Sequence, residues 1–161
     1  DADVVFQSCD GVLYKIHRKN LETSAGGFPP SEFDTCGEIV QLTELSSTLD
    51  ILFQYIYPLP QPDIASSPPE ILAEVAEAAE KYQVYPAIYV CKMVIEMSLP
   101  ENALNVFTYA GRHGYEDLLV KSAFHLIGTP LPEVISVIPR FLVVPWVCLF
   151  SSQFQDYYSP R

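Results

Sequence analysis

A predicted hairpin at the start of the chain restricts how the rest can fold. Two short β-prone runs, Val4 to Phe6 and Val12 to Ile16, flank the pair Asp10-Gly11. Glycine adopts the positive φ that a tight turn requires, so Asp-Gly between two such runs is a strong hairpin signal. The polar residues His17 to Asn20 follow directly and end at Leu21, which predicts a short helix. The chain therefore opens with a β-hairpin that continues into a helix.

One more strand and two helices are predicted before residue 85. Glu38 to Leu42 combines two polar residues with three β-prone apolar ones, which predicts a third strand. A helix that ends at Pro58 follows, because four apolar residues share one helical face: Leu49, Leu52, Phe53 and Ile56. Ser67-Pro-Pro-Glu70 has the spacing of a capping box with proline at the first helical position. This pattern predicts a further helix, capped by Ser67.

The remaining sequence predicts helices throughout. A helix from Pro86 carries Met93 and Met97 on one apolar face, where we expect them to fill the core; the alternative is a ligand role or a promiscuous binding surface. After Pro100 come paired helices whose stop signals are glycines: Gly111, Gly114 and Gly128. We place a boundary between residues 98 and 99, so that a domain of residues 1–98 precedes a helical extension of residues 99–161. The apolar segment Phe141 to Phe150 either packs against the preceding helices or forms an interface with another chain.

Charge and composition narrow the classes of partner. The formal net charge is −11, and 49% of the residues are hydrophobic. An acidic surface repels phosphate backbones and anionic lipids, so we expect neither nucleic-acid nor membrane binding and favour proteins with basic patches. The longest apolar run has ten residues, whereas a membrane-spanning helix needs about 20. The chain starts without Met and shows no secretory signal, and we expect an intracellular protein of the cytoplasm or nucleus.

The cysteines and histidines predict neither a metal site nor an active site. Four cysteines are too widely spaced for zinc ligands and are expected to be free thiols: Cys9, Cys36, Cys91 and Cys148. The best enzymatic combination would be Cys9 with His17 or His113 and the acid Asp10, as in a Cys/His hydrolase. No nucleotide-binding, zinc-protease or nucleophile-elbow motif accompanies it. We therefore expect a protein that is not an enzyme and needs no cofactor.

Six blocks in order resemble the BTB/POZ domain, in the form abundant in fungi. The resemblance covers about residues 2–98 and extends more weakly to residue 127. The blocks are Ala2-Asp-Val-Val-Phe6, Asp10-Gly11, Ile16-His-Arg-Lys-Asn-Leu21, Ile39-Val-Gln-Leu42, Leu52-Phe-Gln-Tyr-Ile-Tyr57 and Ala76-Glu-Ala-Ala-Glu-Lys-Tyr82.

The resemblance implies an α+β fold, in which a small mixed sheet packs on a cluster of helices and a helical extension follows. It also implies a protein-interaction module that self-associates, joins substrates to a cullin-3 ubiquitin ligase, or binds transcriptional corepressors. The residues that correspond to the family's charged partner pocket are Asp3 and Arg18. The alternative for this pair is a structural ion pair, and His17 either anchors a turn or acts as a switch or metal ligand.

Two departures from the family pattern bear on dimerisation and on cullin binding. Many dimeric members have a helix and a strand before the first block, whereas almost nothing precedes Asp3, so we expect the swapped dimer contact to be missing or trimmed. The Gly/Pro-rich loop from Ser24 to Gly37 also has no convincing hydrophobic-x-Glu cullin motif; Pro30-Ser31-Glu32 is the nearest candidate. The helices after Pro100 occupy the place where family adaptors extend their cullin contact, which favours an adaptor over homotypic assembly slightly.

Overall fold

A computed structural model describes residues 4–28 and 39–158. For residues 149, 150 and 152–158 it describes the backbone alone. Across these residues the fold is α+β, with three short strands and eight α-helices, as the sequence predicted at this coarse level. The chain divides into two compact units between Val94 and Ile95. The boundary predicted from the sequence lay between residues 98 and 99.

The first unit contains a three-stranded mixed sheet. Strands β1 (Val4–Gln7) and β2 (Leu13–Ile16) are antiparallel, and β3 (Ile39–Gln41) runs parallel to β1 on its other side. The strand order is therefore β2-β1-β3. The first part of the predicted third strand, Glu38, lies outside the described residues.

The hairpin turn is one residue longer than a two-residue Asp-Gly turn. The N–H of Gly11 donates to the carbonyl of Ser8, and the N–H of Ser8 donates to the carbonyl of Val12, both at 3.0 Å. Gly11 has φ +89°, which a glycine adopts without strain. Cys9 and Asp10 are thus the central turn residues, and Gly11 follows them in the left-handed conformation.

The described part of the first unit also contains four helices and two 3₁₀ turns, and the last helix extends past the boundary at Val94. They are α1 (Arg18–Ser24), α2 (Ser46–Leu52), which continues as a 3₁₀ turn over Phe53–Ile56, a second 3₁₀ turn at Ile64–Ser66, α3 (Pro69–Tyr82) and α4 (Tyr85–Met97). The predicted apolar face of α2 and its extension is buried in the core of this unit. Phe53 forms the aromatic centre, with its ring 5.7 Å from Phe6 and 5.1 Å from Tyr14.

The helix predicted after Ser67 is present, but the predicted capping box is wrong. The residue that precedes the first helical position is Pro68, and no side chain caps the helix. A residue that precedes proline is disfavoured in the helical region. Pro68 precedes Pro69, so its backbone is extended and α3 begins at Pro69, one residue later than the capping box requires.

The second unit is helical throughout its described residues. Its helices are α5 (Ala103–His113), α6 (Glu116–His125), α7 (Leu131–Val137) and α8 (Arg140–Tyr158). The single tryptophan, Trp146, is buried in the core of this unit with its ring 5.3 Å from that of Phe107, edge to face. Pro145 lies inside α8 and does not end it.

Gly111 is not a stop signal, contrary to the prediction. It lies within the last turns of α5, and a Cβ at this position would collide with the Leu142 side chain on α8. The glycine therefore permits close packing of two helices. Gly114, with φ +74°, is the residue that ends α5.

Candidate interaction surfaces

The resemblance assigned a partner pocket to Asp3 and Arg18. Asp3 lies outside the described residues. Arg18 is the first residue of α1 and is half-buried. A contact between these two side chains, either in a partner pocket or in a structural ion pair, therefore stays a prediction.

His17 connects the hairpin to the 3₁₀ turn that follows α2. Its backbone N–H donates to the hydroxyl of Tyr57 at 3.3 Å, and its Nδ1 lies 3.0 Å from the same oxygen. The two rings meet edge to face with centroids 5.8 Å apart. These contacts fix the entry to α1, so the structural interpretation of His17 accounts for its position.

The hairpin separates Cys9 from His17. Cys9 lies in the turn, whereas His17 follows the far end of β2. Five residue steps from Val12 to His17 in extended backbone span roughly 16 Å. A nucleophile and its base must approach within hydrogen-bond reach, so this pair is not assembled as a catalytic site.

Hydrogen bonds attach the hairpin to α2. The carboxylate of Asp10 accepts from the backbone N–H of Ser46 at 2.9 Å and from its hydroxyl at 2.6 Å. Bonds from Ser46 and then Ser8 lower the pKa of Asp10 to about 2. The Tyr14 hydroxyl donates to Asp50 at 2.8 Å; burial, followed by this bond, raises the Tyr14 pKa to about 12. Asp10 therefore caps α2 from a distant turn, which the sequence pattern did not predict.

Glu44 attaches the loop after β3 to α3. Its carboxylate accepts from Lys81 Nζ at 2.7 Å and from the Tyr82 hydroxyl at 2.5 Å. Its own carbonyl accepts from the N–H of Cys9 in the hairpin turn. Desolvation opposes ionisation of Glu44, but the bonds from Lys81, Tyr82 and Thr43 outweigh it and lower the pKa of the carboxyl. Glu44 thus holds three parts of the first unit together.

The outer face of α4 is aromatic and apolar. Tyr85, Tyr89 and Met93 follow one another at four-residue spacing and are 57%, 68% and 47% exposed. The prediction that Met93 and Met97 fill the core is wrong, because both are exposed. The buried side of α4 instead carries small residues, including Ala87 and Cys91. We call Tyr85, Tyr89 and Met93 the α4 face.

The apolar segment of α8 is divided between two environments. Leu142 and Trp146 are buried in the second unit, while Phe141 and Val144 are 60% and 69% exposed. The sequence left open whether this segment packs inside or forms an interface. One side of it packs, and the other side presents large apolar side chains to solvent.

No group of three or more His, Cys, Asp and Glu residues in the described part of the chain is placed to hold a metal ion. Burial and then the charge of Glu80 raise the pKa of the Cys91 thiol to about 12. Cys9 and Cys148 are exposed free thiols. None of the helices described has the length and apolar character needed to cross a membrane.

Comparison with known proteins adds no relative: no protein-family model matches the sequence, and neither does any curated protein.

Proposed function

We propose that this chain is a non-catalytic protein-interaction module of the BTB/POZ type, which acts as an adaptor or as a homotypic assembly domain. The six sequence blocks support this assignment. So does their arrangement, in which a hairpin, a short helix and a third strand parallel to β1 build a small mixed sheet accompanied by helices.

The observation that carries the proposal is the α4 face. Isolated exposed apolar residues are ordinary, but a continuous aromatic and Met surface is typical of protein-binding sites. Tyrosine offers a large rigid contact area, and methionine adapts its shape to a partner. The side chains of the α4 face line one side of a regular helix, so a partner could contact all three at once.

The charge distribution indicates the kind of partner. With a net charge of −11, the chain attracts proteins with basic surfaces and disfavours nucleic acid. Residues 1–94 carry 14 acidic and 5 basic side chains, a net charge of −9, so this preference is strongest in the first unit. We propose a protein partner that combines an apolar contact surface with a basic rim.

Calorimetry with the N-terminal part of cullin-3 tests the adaptor function. Binding that is weakened by Tyr85→Ser/Tyr89→Ser/Met93→Ser and retained by Leu59→Ser would support it. Leu59 is a suitable control because it is a 61% exposed apolar residue of a loop in the same unit. No heat of binding at tens of micromolar would remove the adaptor function.

Light scattering tests homotypic assembly separately, because a monomer at high concentration would remove self-association as the main role. A screen for esterase activity and thiol reactivity, with Cys9→Ala as control, tests the absence of catalysis. An activity that disappears in this variant would contradict the proposal.

A further inference from the structure

The outer edge of β2 presents backbone groups that β1 does not use. Ser8 and Val12 form a hydrogen-bonded pair at the end of the hairpin. In an antiparallel ladder, hydrogen-bonded and non-hydrogen-bonded pairs alternate. Leu13 faces Gln7 and Lys15 faces Val5, so both are non-hydrogen-bonded positions. The N–H and C=O groups of Leu13 and Lys15 therefore point away from β1.

This edge is accessible. Leu13 is 52% exposed and Val12 is 43% exposed, and Lys15 is also exposed. Within residues 4–28 and 39–158, no other strand pairs with β2. An open strand edge is a template for a further strand. The N–H and C=O groups of Leu13 and Lys15 are spaced two residues apart, as the hydrogen-bonded positions of an antiparallel ladder are.

We propose that β2 pairs antiparallel with β2 of a second copy of this chain, which joins two sheets into one. The inference rests on the homotypic assembly included in the proposed function and names the surface that carries it. The register that uses all four backbone groups places Leu13 opposite Lys15 of the second copy. Tyr14 then lies opposite Tyr14 at the two-fold axis.

Charge complementarity favours a second copy as the occupant. The hairpin end of β2 is acidic, since Asp10 lies in the turn. The opposite end is basic, with Lys15, Arg18 and Lys19 within five residues. In an antiparallel pair about Tyr14, the acidic end of each copy lies beside the basic end of the other. A lysine in an edge strand normally discourages pairing; in this register Lys15 lies opposite Leu13 of the second copy, so no two lysines face each other directly.

Disulfide cross-linking of mixed variants tests the register. Leu13→Cys and Lys15→Cys are made separately in a chain with Cys9, Cys36 and Cys148 replaced by Ser. We expect an equimolar mixture to form cross-linked dimers several times faster than either variant alone, because residues 13 and 15 are opposite only between the two variants. Like residues would be about 7 Å apart or more, beyond the usual reach of a disulfide. Equal rates in all three samples would overturn the proposal.

Sedimentation of Lys15→Pro provides a second measurement. The Lys15 N–H points outward, so proline removes a donor to the second copy and no bond of the β1–β2 ladder. We expect the dimer to dissociate at concentrations at which the wild type remains paired, and unchanged circular dichroism verifies the fold. A dimer unaffected by this substitution, or a wild type that is monomeric at every concentration, would overturn the β2 pairing. Neither result would affect the proposed partner binding through the α4 face, which the calorimetry tests separately.

Discussion

Replacement of Gly111 by alanine should destabilise the second unit even though alanine is the better helix former. In an open helix, Gly→Ala stabilises by about 1 kcal/mol. At Gly111, however, the added Cβ would collide with Leu142 Cδ1 on α8. Overpacking of this kind costs about 1–3 kcal/mol. We expect the two effects to leave the variant about 0–2 kcal/mol less stable than the wild type.

The cause of this loss can be isolated with a double-mutant cycle. Leu142→Ala alone should cost about 2–5 kcal/mol, since a buried leucine is truncated. In that background the space opposite Gly111 is open, and Gly111→Ala should become neutral or stabilising by up to about 1 kcal/mol. The coupling between the two positions is then about 1–3 kcal/mol.

Urea unfolding followed by the fluorescence of Trp146 is the appropriate assay, because this residue is the single tryptophan and lies in the same core as Leu142. Gly114→Ala is the matched control. It places a Cβ in open space at φ +74°, so its strain should cost the same in the wild-type and the Leu142→Ala backgrounds. An equal cost of Gly111→Ala in both backgrounds would refute the close-packing explanation.

Two further predictions concern ionisable groups in the first unit. The pKa of Glu44 is lowered in the folded state, so its ionised form contributes stability above the unfolded value near 4.5, and this contribution is lost as the pH falls through the folded pKa. The stability difference between wild type and Glu44→Gln should therefore shrink on acidification in urea titrations, and a constant difference would contradict the assigned hydrogen bonds. The Cys91 thiol is buried with a pKa of about 12, so iodoacetamide should modify Cys9 in the native protein and Cys91 only after unfolding, as mass spectrometry of tryptic peptides would detect. Modification of both at equal rates would show that Cys91 is accessible.

Local pattern predicted much of the first unit. An Asp-Gly pair between β-prone runs indicated the hairpin, and the four-residue apolar face of α2 indicated which side is buried. These signals depend on neighbouring residues and on helix or strand period alone. The mixed sheet followed from the resemblance, because β3 pairs with β1 across more than thirty residues of sequence.

The prediction failed where one sequence pattern is compatible with two ways of packing a helix against the core. α4 is apolar on several sides, so periodicity could not decide whether its Met residues or its small residues face the core. Because Ala87 and Cys91 are buried, the α4 face is exposed to solvent. In the sequence, Gly111 likewise resembles a helix stop signal. Its role in close helix packing depends on the position of Leu142 on another helix.

The contacts of the hairpin turn were also missed. Asp10 caps a helix thirty-six residues away, and Glu44 bonds to side chains thirty-seven and thirty-eight residues away. No local spacing signals such pairs, because the fold brings them together. The pocket at Asp3 and Arg18 depends on a residue outside the described chain and remains a prediction.

Site-specific photo-cross-linking at the α4 face tests the central claim most directly. A benzoylphenylalanine at Tyr89 in cells that express the chain should form one discrete cross-linked protein species, because that side chain would lie within the interface. The same group at Leu59, which is similarly exposed, should give none. A cross-linked species at both positions, or at neither, would contradict the account of the α4 face as a specific protein-binding surface.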